Sequence, residues 1–269
     1  MNTIVQRRMG MGKTGETFLV GKKDSGISYR SDRVLKEGKI GEKRVGTEIE
    51  KAIAGESGQK IITGSTGELE IISYDPLEIP DLRWAILSTI KLEEAIAPKN
   101  EDQEDFFTKY IQKYGYYDLF LIHPRGEVFY TVIREEDYGT NMVDGKYDQS
   151  GLGKLVRQVL KRREFCIADF EPYLPSDNQP AAFIAQPVIH NESVQLIVAL
   201  QLALKPINSI MQQREGMGDS GETYLVGSDY LMRSDSYLDK TNRSVNASFA
   251  HSSKGSVKTT AVKEALDGY

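Results

Sequence analysis

The feature that most constrains this chain is that it repeats itself. Asn2 to Gly21, NTIVQRRMGMGKTGETFLVG, returns at Asn208 to Gly227 as NSIMQQREGMGDSGETYLVG, with roughly two-thirds of the positions identical. Both copies run on to Arg-Ser-Asp, at Arg30-Ser31-Asp32 and at Arg233-Ser234-Asp235, and the intervening stretch is three residues longer in the first copy. Loop tips accept insertions and strand ladders do not, so Lys22 to Tyr29 reads as a hairpin with an extended tip. Further on, Val45, Thr47 and Lys51 align with Val257, Thr259 and Lys263, which predicts a helix near each site. A period of about 206 residues is far too long for a solenoid and indicates duplication of whole domains.

Periodicity fills in the rest. In the first copy the expected order is a short helix (Thr3–Met9), strands at Glu16–Gly21 and Ile27–Arg30, a helix at Thr47–Gly55, and strands at Gln59–Thr63, Glu68–Asp75 and Arg83–Lys91. The same order follows between them. Glu101–Tyr114 carries Phe106, Phe107, Tyr110 and Ile111 at helical spacing and ends at Gly115, as a C-cap would. Tyr117–Ile122 and Glu127–Ile133 flank the turn Pro124-Arg125-Gly126. Gly151–Arg163 is a helix with Leu152, Leu155, Val156, Val159 and Leu160 on its inner face, followed by strands at Glu164–Phe170, Ala181–Val188 and Val194–Leu202. The second copy stops at Tyr269 before any counterpart of the last three strands, so it reads as a truncated module.

The formal net charge of −5 and the absence of a basic stripe exclude nucleic acid as a natural partner. No run of 18 apolar residues and no secretory leader is visible, so any membrane anchor is expected outside this sequence. Cys166 is the single cysteine and His123, His190 and His251 are scattered, so no disulfide, metal site or cofactor site is expected. No nucleophile elbow, zincin helix or Cys/His pairing is present, and the chain is not expected to be an enzyme. Gly10-Met11-Gly12-Lys13-Thr14 has the look of a phosphate loop. Arg7 stands where that motif requires glycine, and the duplicate has Asp219 and Ser220 in place of Lys13 and Thr14. These glycines are expected instead to turn the chain from the lead helix into the first strand.

Three stretches carry a family likeness: GYYDLFLIHPRGEVFYTVIREEDYGTN (Gly115–Asn141), ADFEPYLPSDNQPAAFIAQPV (Ala168–Val188) and GMGDSGETYLVGSDYLMRSDS (Gly216–Ser236). They resemble the double Cache sensor regions of bacterial methyl-accepting chemotaxis proteins, which also occur in membrane histidine kinases and nucleotide cyclases. LEIPDLRWAILSTIKLEEAIAP (Leu77–Pro98) is similar to the close of the membrane-proximal module of that family. The resemblance covers nearly the whole chain. It implies an α+β fold of tandem PAS-like Cache modules, each a curved antiparallel sheet of about five strands with a lead-in helix. Residues 1–98 would be a proximal-type module, 99–205 a distal-type module, and 206–269 the start of a second proximal-type module. Two tandem pairs in one receptor is the preferred arrangement.

The function so implied is the extracytoplasmic, periplasmic sensing region of a transmembrane signal transducer, above all a chemotaxis receptor. The alternatives are the sensor region of a histidine kinase or nucleotide cyclase, or a structural module that binds no ligand. Partners would be a small molecule and a second copy of the chain, joined through the lead helices. A small polar ligand needs a few fixed hydrogen-bonding groups on an otherwise apolar wall. The polar and aromatic residues placed to supply them are Tyr130, Asp137, Tyr138, Thr140 and Asn141 on the second strand and its exit, Asp169, Glu171 and Tyr173 on the third, and Phe183 on the fourth. A carboxylate such as Asp169 suits a ligand amine. The competing reading is that Asp169 and Tyr173 only hold the Pro172–Pro180 loop in place.

Overall fold

The computed structural model describes residues 2–23 and 25–268. Two compact units form, Met1–Phe106 and Phe107–Tyr269.

The first unit runs α1 (Asn2–Val5), β1 (Glu16–Lys23), β2 (Gly26–Tyr29), α2 (Thr47–Ile53), β3 (Gly58–Thr63), β4 (Leu69–Ile79), β5 (Leu82–Lys91) and α3 (Leu92–Ile96). The five strands make one sheet in the order β2-β1-β5-β4-β3, antiparallel throughout. Side chains alternate between faces along a strand, and here the inner face takes Phe18, Val20, Ile72, Tyr74, Ala85 and Leu87 against Ile49 and Ala52 of α2. At seven residues α2 is too short to persist alone, and those two buried contacts hold it.

The glycine loop between α1 and β1 is an anion nest, filled by the chain itself. The Glu94 carboxylate, on α3, accepts hydrogen bonds from the backbone N–H groups of Lys13 and Thr14 and from the Thr14 hydroxyl. Burial opposes ionisation of Glu94, yet these bonds outweigh it and hold the carboxyl below its ordinary range. Gly12 sits at φ +65°, and a Cβ there would overlap the Glu94 carboxylate. The motif that looks like a phosphate loop therefore ties the end of the module to its beginning.

The second unit runs α4 (Phe106–Tyr114), β6 (Tyr116–Ile122), β7 (Val128–Thr131), α5 (Gly151–Arg162), β8 (Cys166–Tyr173), β9 (Gln179–His190), β10 (Ser193–Leu202), α6 (Leu204–Met211), α7 (Val245–Ala250), α8 (Ser252–Gly255) and α9 (Thr260–Leu266). Its sheet has the order β7-β6-β10-β9-β8, which is the first sheet's order repeated. The fold class is α+β with two antiparallel sheets, as the sequence led one to expect. Helix α5 starts where the Ser150 hydroxyl accepts from Gly153 N at 3.1 Å, and it stops at Arg163 in the left-handed conformation, φ 59°. Leu152, Leu155, Val156 and Val159 are buried beneath it against Phe120, Ile122, Phe183 and Ile197 of the sheet. Asn191 and Glu192 both take positive φ, which gives the two-residue β9–β10 turn the twist its strands need.

The second copy of the repeat departs from expectation. Glu222–Gly227 does not form a ladder strand; only an isolated bridge, Val226 to Met232, remains. In the first copy, β1 lies between β2 and β5 and is hydrogen-bonded to both. Among the described residues the second copy has no counterpart of β5, and a strand without a neighbour has nothing to bond. The local side-chain bonds are kept all the same. Arg8 donates to the carbonyls of Gly12, Lys13 and Gly15, and Arg214 to those of Gly218, Asp219 and Gly221. Asn2 exchanges two bonds with Asp32, and Asn208 two with Asp235. The hydroxyls of Ser31 and Ser234 accept from Leu19 N and Leu225 N. Met232, Val245 and Val257 of this copy pack on Phe170 and Ala182.

Candidate functional site

Along the inner face of the second sheet the rows are apolar and then turn polar at one end. On β6 the inward residues are Ile122, Phe120 and Asp118; on β10 they are Ile197, Ala199 and Gln201. Asp118 pairs with Gln201 in the ladder, and Gln201 with Phe183 of β9. The loop leaving β7 adds Glu135 and Asp137, and the end of β8 with its 3-10 turn (Leu174–Ser176) adds Tyr173 and Ser176. Asp118 and Asp137 are fully buried, and Tyr173, Gln201 and Ser176 nearly so.

Among the described residues, the hydrogen bonds at this end leave acceptors over. One Asp118 oxygen accepts from the backbone N–H groups of Leu119, Val132 and Ile133 at 2.6, 2.9 and 3.2 Å, fixing the loop after β7. Its Oδ2 has no partner. The Tyr173 hydroxyl donates to Asp137 Oδ2 at 2.6 Å, and Asp137 Oδ1 has no partner. Glu135 accepts from the hydroxyls of Tyr117 and Ser176, each at 2.6 Å. Gln201 donates to the Ser176 hydroxyl oxygen at 3.2 Å and its own Oε1 has no partner. Burial pushes the carboxyls of Asp118 and Asp137 up to about 6. Burial also raises the Tyr173 phenol, and the charges of Asp137, Glu135 and Asp118 add to it.

The corresponding end of the first sheet is built differently. Glu16 holds on β1 the place that Asp118 holds on β6, and its ladder partner Thr89 stands where Gln201 does. Glu16 and Glu70 are as buried as the aspartates, but each has its own cation. Arg33 pairs with Glu16 and lies 4.2 Å over the Phe18 ring; Lys36 pairs with Glu70. Glu16 also accepts from Val34 N and Leu35 N at 2.9 and 3.0 Å. Burial opposes its ionisation, and these bonds together with Arg33 overcome that and lower its pKa.

Of the residues singled out in the sequence, the structure brings together Asp137, Tyr173 and Phe183, whose ring meets Tyr173 edge-on at 4.9 Å. Tyr130 lies on the opposite face: its ladder partner is Leu121, and its ring packs on Phe107 of α4 at 5.3 Å. Thr140 donates to the carbonyl of Asp137 at 2.7 Å, bracing the loop. Tyr138 lies under the Arg134 guanidinium at 4.5 Å. Asn141 closes the β6–β7 hairpin through Arg125 O and Val143 N. Glu171 is exposed and pairs with Lys154. Asp169 takes both Nε and Nη2 of Arg233 at 2.7 and 2.8 Å, so its carboxylate belongs to the second copy of the repeat.

Asp118, Glu135, Ser176 and Gln201 were not among the sequence candidates. Two of them had a signal: Asp118 interrupts Tyr-Tyr-Asp-Leu-Phe-Leu-Ile and Gln201 interrupts Val-Ala-Leu-Gln-Leu, both at inward parity in apolar strands. Two open clefts among the described residues are lined by other groups. One of about 510 Å³ is bounded by Asp177–Pro180 and Asn246–His251, and one of about 460 Å³ by Asp32, Arg33 and Lys36–Lys39.

No known family pattern and no curated protein matches the chain. Solved structures do resemble it. The V. cholerae histidine kinase DctB sensor domain is similar at 13% identity and TM-score 0.41, over 75% of this chain and 76% of that one. The ligand-binding domain of the Pseudomonas aeruginosa amino acid chemoreceptor PctB, in complex with L-Gln, matches at 11% identity and TM-score 0.38, over 80% and 78%. That of the Pseudomonas fluorescens chemoreceptor CtaA, in complex with L-leucine, matches at 10% and 0.38, over 76% and 77%. At these values the likeness assigns no ligand and no role to any residue of this chain.

Proposed function

We propose that the chain is the extracytoplasmic ligand-sensing region of a bacterial transmembrane signal transducer, and that the second sheet is its sensing module. The observation that carries this reading is the inner end of that sheet. Asp118 Oδ2, Asp137 Oδ1 and Gln201 Oε1 are buried on that end of the sheet and the loop beside it, and have no hydrogen-bond partner among the described residues. Buried polar atoms are almost always bonded, so each exception calls for an explanation, and a bound molecule would supply one for these acceptors. A ligand bonded there would draw the Glu135–Asp137 loop and the Tyr173–Ser176 turn together. Helix α4, packed through Phe107 on Tyr130 of the adjoining strand, would then shift between two packed states.

Displacement of α4 against its counterpart in a homodimer is the output. A chemotaxis receptor fits that output best, with a histidine kinase or cyclase as the alternative. No described helix is long and apolar enough to cross a membrane, so the anchor of such a receptor would lie in other segments. The first unit suits a spacer or transmission role, because Arg33 and Lys36 already neutralise the buried carboxylates at the corresponding end of its sheet.

Thermal-shift screening of the chain with small metabolites tests the proposal. A sensing module gains several degrees with at least one compound, and Asp137→Asn and Tyr173→Phe remove the gain while Glu171→Gln keeps it. A compound that stabilises all three variants equally would place recognition elsewhere.

A further inference from the structure

We infer that the second copy of the repeat is a docking surface for another polypeptide: an extended segment that adds as a strand along Glu222–Gly227 and seats a glutamate on the glycine loop Gly216–Ser220. In the first copy the backbone N–H groups of Lys13 and Thr14 donate to the Glu94 carboxylate at 2.5 and 2.8 Å, and the Thr14 hydroxyl joins them. The second copy builds the same loop. Gly10 and Gly12 sit at φ +79° and +65°, and Gly216 and Gly218 at +79° and +64°. Met11 N donates to Arg8 O and Gly15 N to Met11 O; Met217 N donates to Arg214 O and Gly221 N to Met217 O. Arg214 closes the loop from its side chain as Arg8 does. The space in front of the two loops differs. A Cβ on Gly12 would overlap the Glu94 carboxylate, whereas a Cβ on Gly218 would meet no atom within 4 Å. Asp219 N, Ser220 N and the Ser220 hydroxyl make no hydrogen bond among the described residues.

The segment that follows the loop is unpaired along one edge. Leu19 of β1 bonds the Arg-Ser-Asp side, through Arg30 N and Ser31 Oγ, and β1 meets β5 on its other edge, from Glu16 opposite Thr89 to Lys22 opposite Arg83. In the second copy Leu225 and Gly227 bond the Arg-Ser-Asp side, through Arg233 N, Ser234 Oγ and Leu231 O. Backbone groups alternate between the edges of a strand, so those of Tyr224 and Val226 face the other way, and they make no hydrogen bond among the described residues. Such an edge accepts an added antiparallel strand. The Tyr224 and Val226 side chains pack on the cluster of Phe170, Ala182 and Met232, which holds the edge in place. The first copy shows which chemistry fits. β5 sets Ala85 and Leu87 opposite Val20 and Phe18 and leads into α3, which delivers Glu94 to the loop. A partner needs the same two parts: apolar side chains at alternate positions, then a glutamate shortly past the strand. The loop offers donors alone, and Arg214 adds positive charge, so a carboxylate suits it. Asp219 stands where Lys13 does and opposes that charge, which makes this seat weaker than the first.

The test is fluorescence anisotropy of the whole chain with a labelled synthetic peptide of residues 82–96, LRWAILSTIKLEEAI, followed by amide hydrogen exchange of the complex. The expected result is saturable binding, with new protection in residues 219–227 and no change in β1. Glu94→Gln in the peptide weakens binding about tenfold, the worth of one charge-assisted hydrogen bond, and asks nothing of the protein's folding. Asp219→Lys in the chain, an exposed position given the first copy's residue, strengthens binding about threefold. Failure of the peptide to bind overturns the docking surface. Binding that ignores both substitutions overturns the glutamate seat. A change of protection in Glu16–Lys23 in place of residues 219–227 means that the peptide has exchanged with β5 of the first sheet, and that overturns the inference too. Sodium acetate that binds as tightly as the peptide makes the loop a small-anion site and overturns the docking strand.

Discussion

The two sheets share a strand order, a face that buries its apolar residues under a helix, and a polar end to that face. They part company over charge. In the first, Glu16 and Glu70 are each matched with a cation from the loop after β2, and among the described residues the atoms left without a partner there are Thr89 Oγ1 and Arg33 Nε, not carboxylate oxygens. In the second, Asp118 and Asp137 are equally buried, have no cation, and keep their protons to higher pH. The same strand order thus carries two different polar ends, and the loop after the second strand of each sheet brings cations to one and further carboxylates to the other.

Removing a cation from the first sheet has the largest expected effect. Arg33→Ala leaves Glu16 buried and uncompensated, at a cost of about 3–5 kcal/mol. Amide hydrogen exchange resolves the two units, and it should register the loss in β1 and β5 while β6 and β10 keep their protection. Equal loosening of both units would break the comparison.

Next is the pH dependence, which should run the opposite way in the two sheets. The Asp118 and Asp137 carboxyls titrate near 6 when folded, against about 3.9 in an unfolded chain. The folded state then binds more protons at these two groups between those values, so their contribution to stability is fully present below about pH 4 and is lost as pH rises through about 6. The loss is about 1–3 kcal/mol per group. Glu16, whose carboxyl is lowered, contributes with the other sign: its stabilisation is present above its unfolded pKa and fades as acid protonates it. Exchange protection of β6 and β10 should therefore improve from pH 7.5 to 5.5, once intrinsic exchange is corrected for, and Asp137→Asn should flatten the trend. A trend of the same sign in β1 would sink this account.

Smaller still is Tyr173→Phe, which takes from Asp137 Oδ2 its donor and should cost about 1–2 kcal/mol, read from denaturant midpoints. The smallest is Gly12→Ala. The new Cβ meets Glu94 at a backbone angle side chains dislike, for about 1 kcal/mol, and Glu94→Gln in the same background should add little because the nest is already open.

Much of the fold was legible. Every strand of both sheets falls within a few residues of its place in the hydrophobic pattern: β5 and β10 alternate because one face is buried, while β6 and β7 are largely apolar runs buried on both faces. Helix α5 was legible from its apolar stripe and Gly115 from its position past the last helical residue. The candidate site was legible only in part. Asp137, Tyr173 and Phe183 do come together, but Tyr130 points the other way. A shift of register between Leu121 and Ile122 lies in that hairpin, and a bulge resets which residues face inward without marking the sequence. Asp169 looked like a pocket carboxylate and instead holds Arg233, 64 residues away, a pairing no local pattern encodes.

What the sequence by itself determined is the local chemistry of the repeat. Arg8 and Arg214 close the same glycine loop, and Asn2 and Asn208 grip the same aspartate, although one copy sits in a complete sheet and the other does not. Those bonds span some thirty residues or fewer and need nothing from the rest of the chain. Only the tertiary structure decided that Glu16–Lys23 is a strand while Glu222–Gly227 is not, and that Glu16 is neutralised while Asp118 is left with an unpaired oxygen. A ladder bond and a buried charge both depend on what lies opposite, and what lies opposite is supplied by residues far away along the chain.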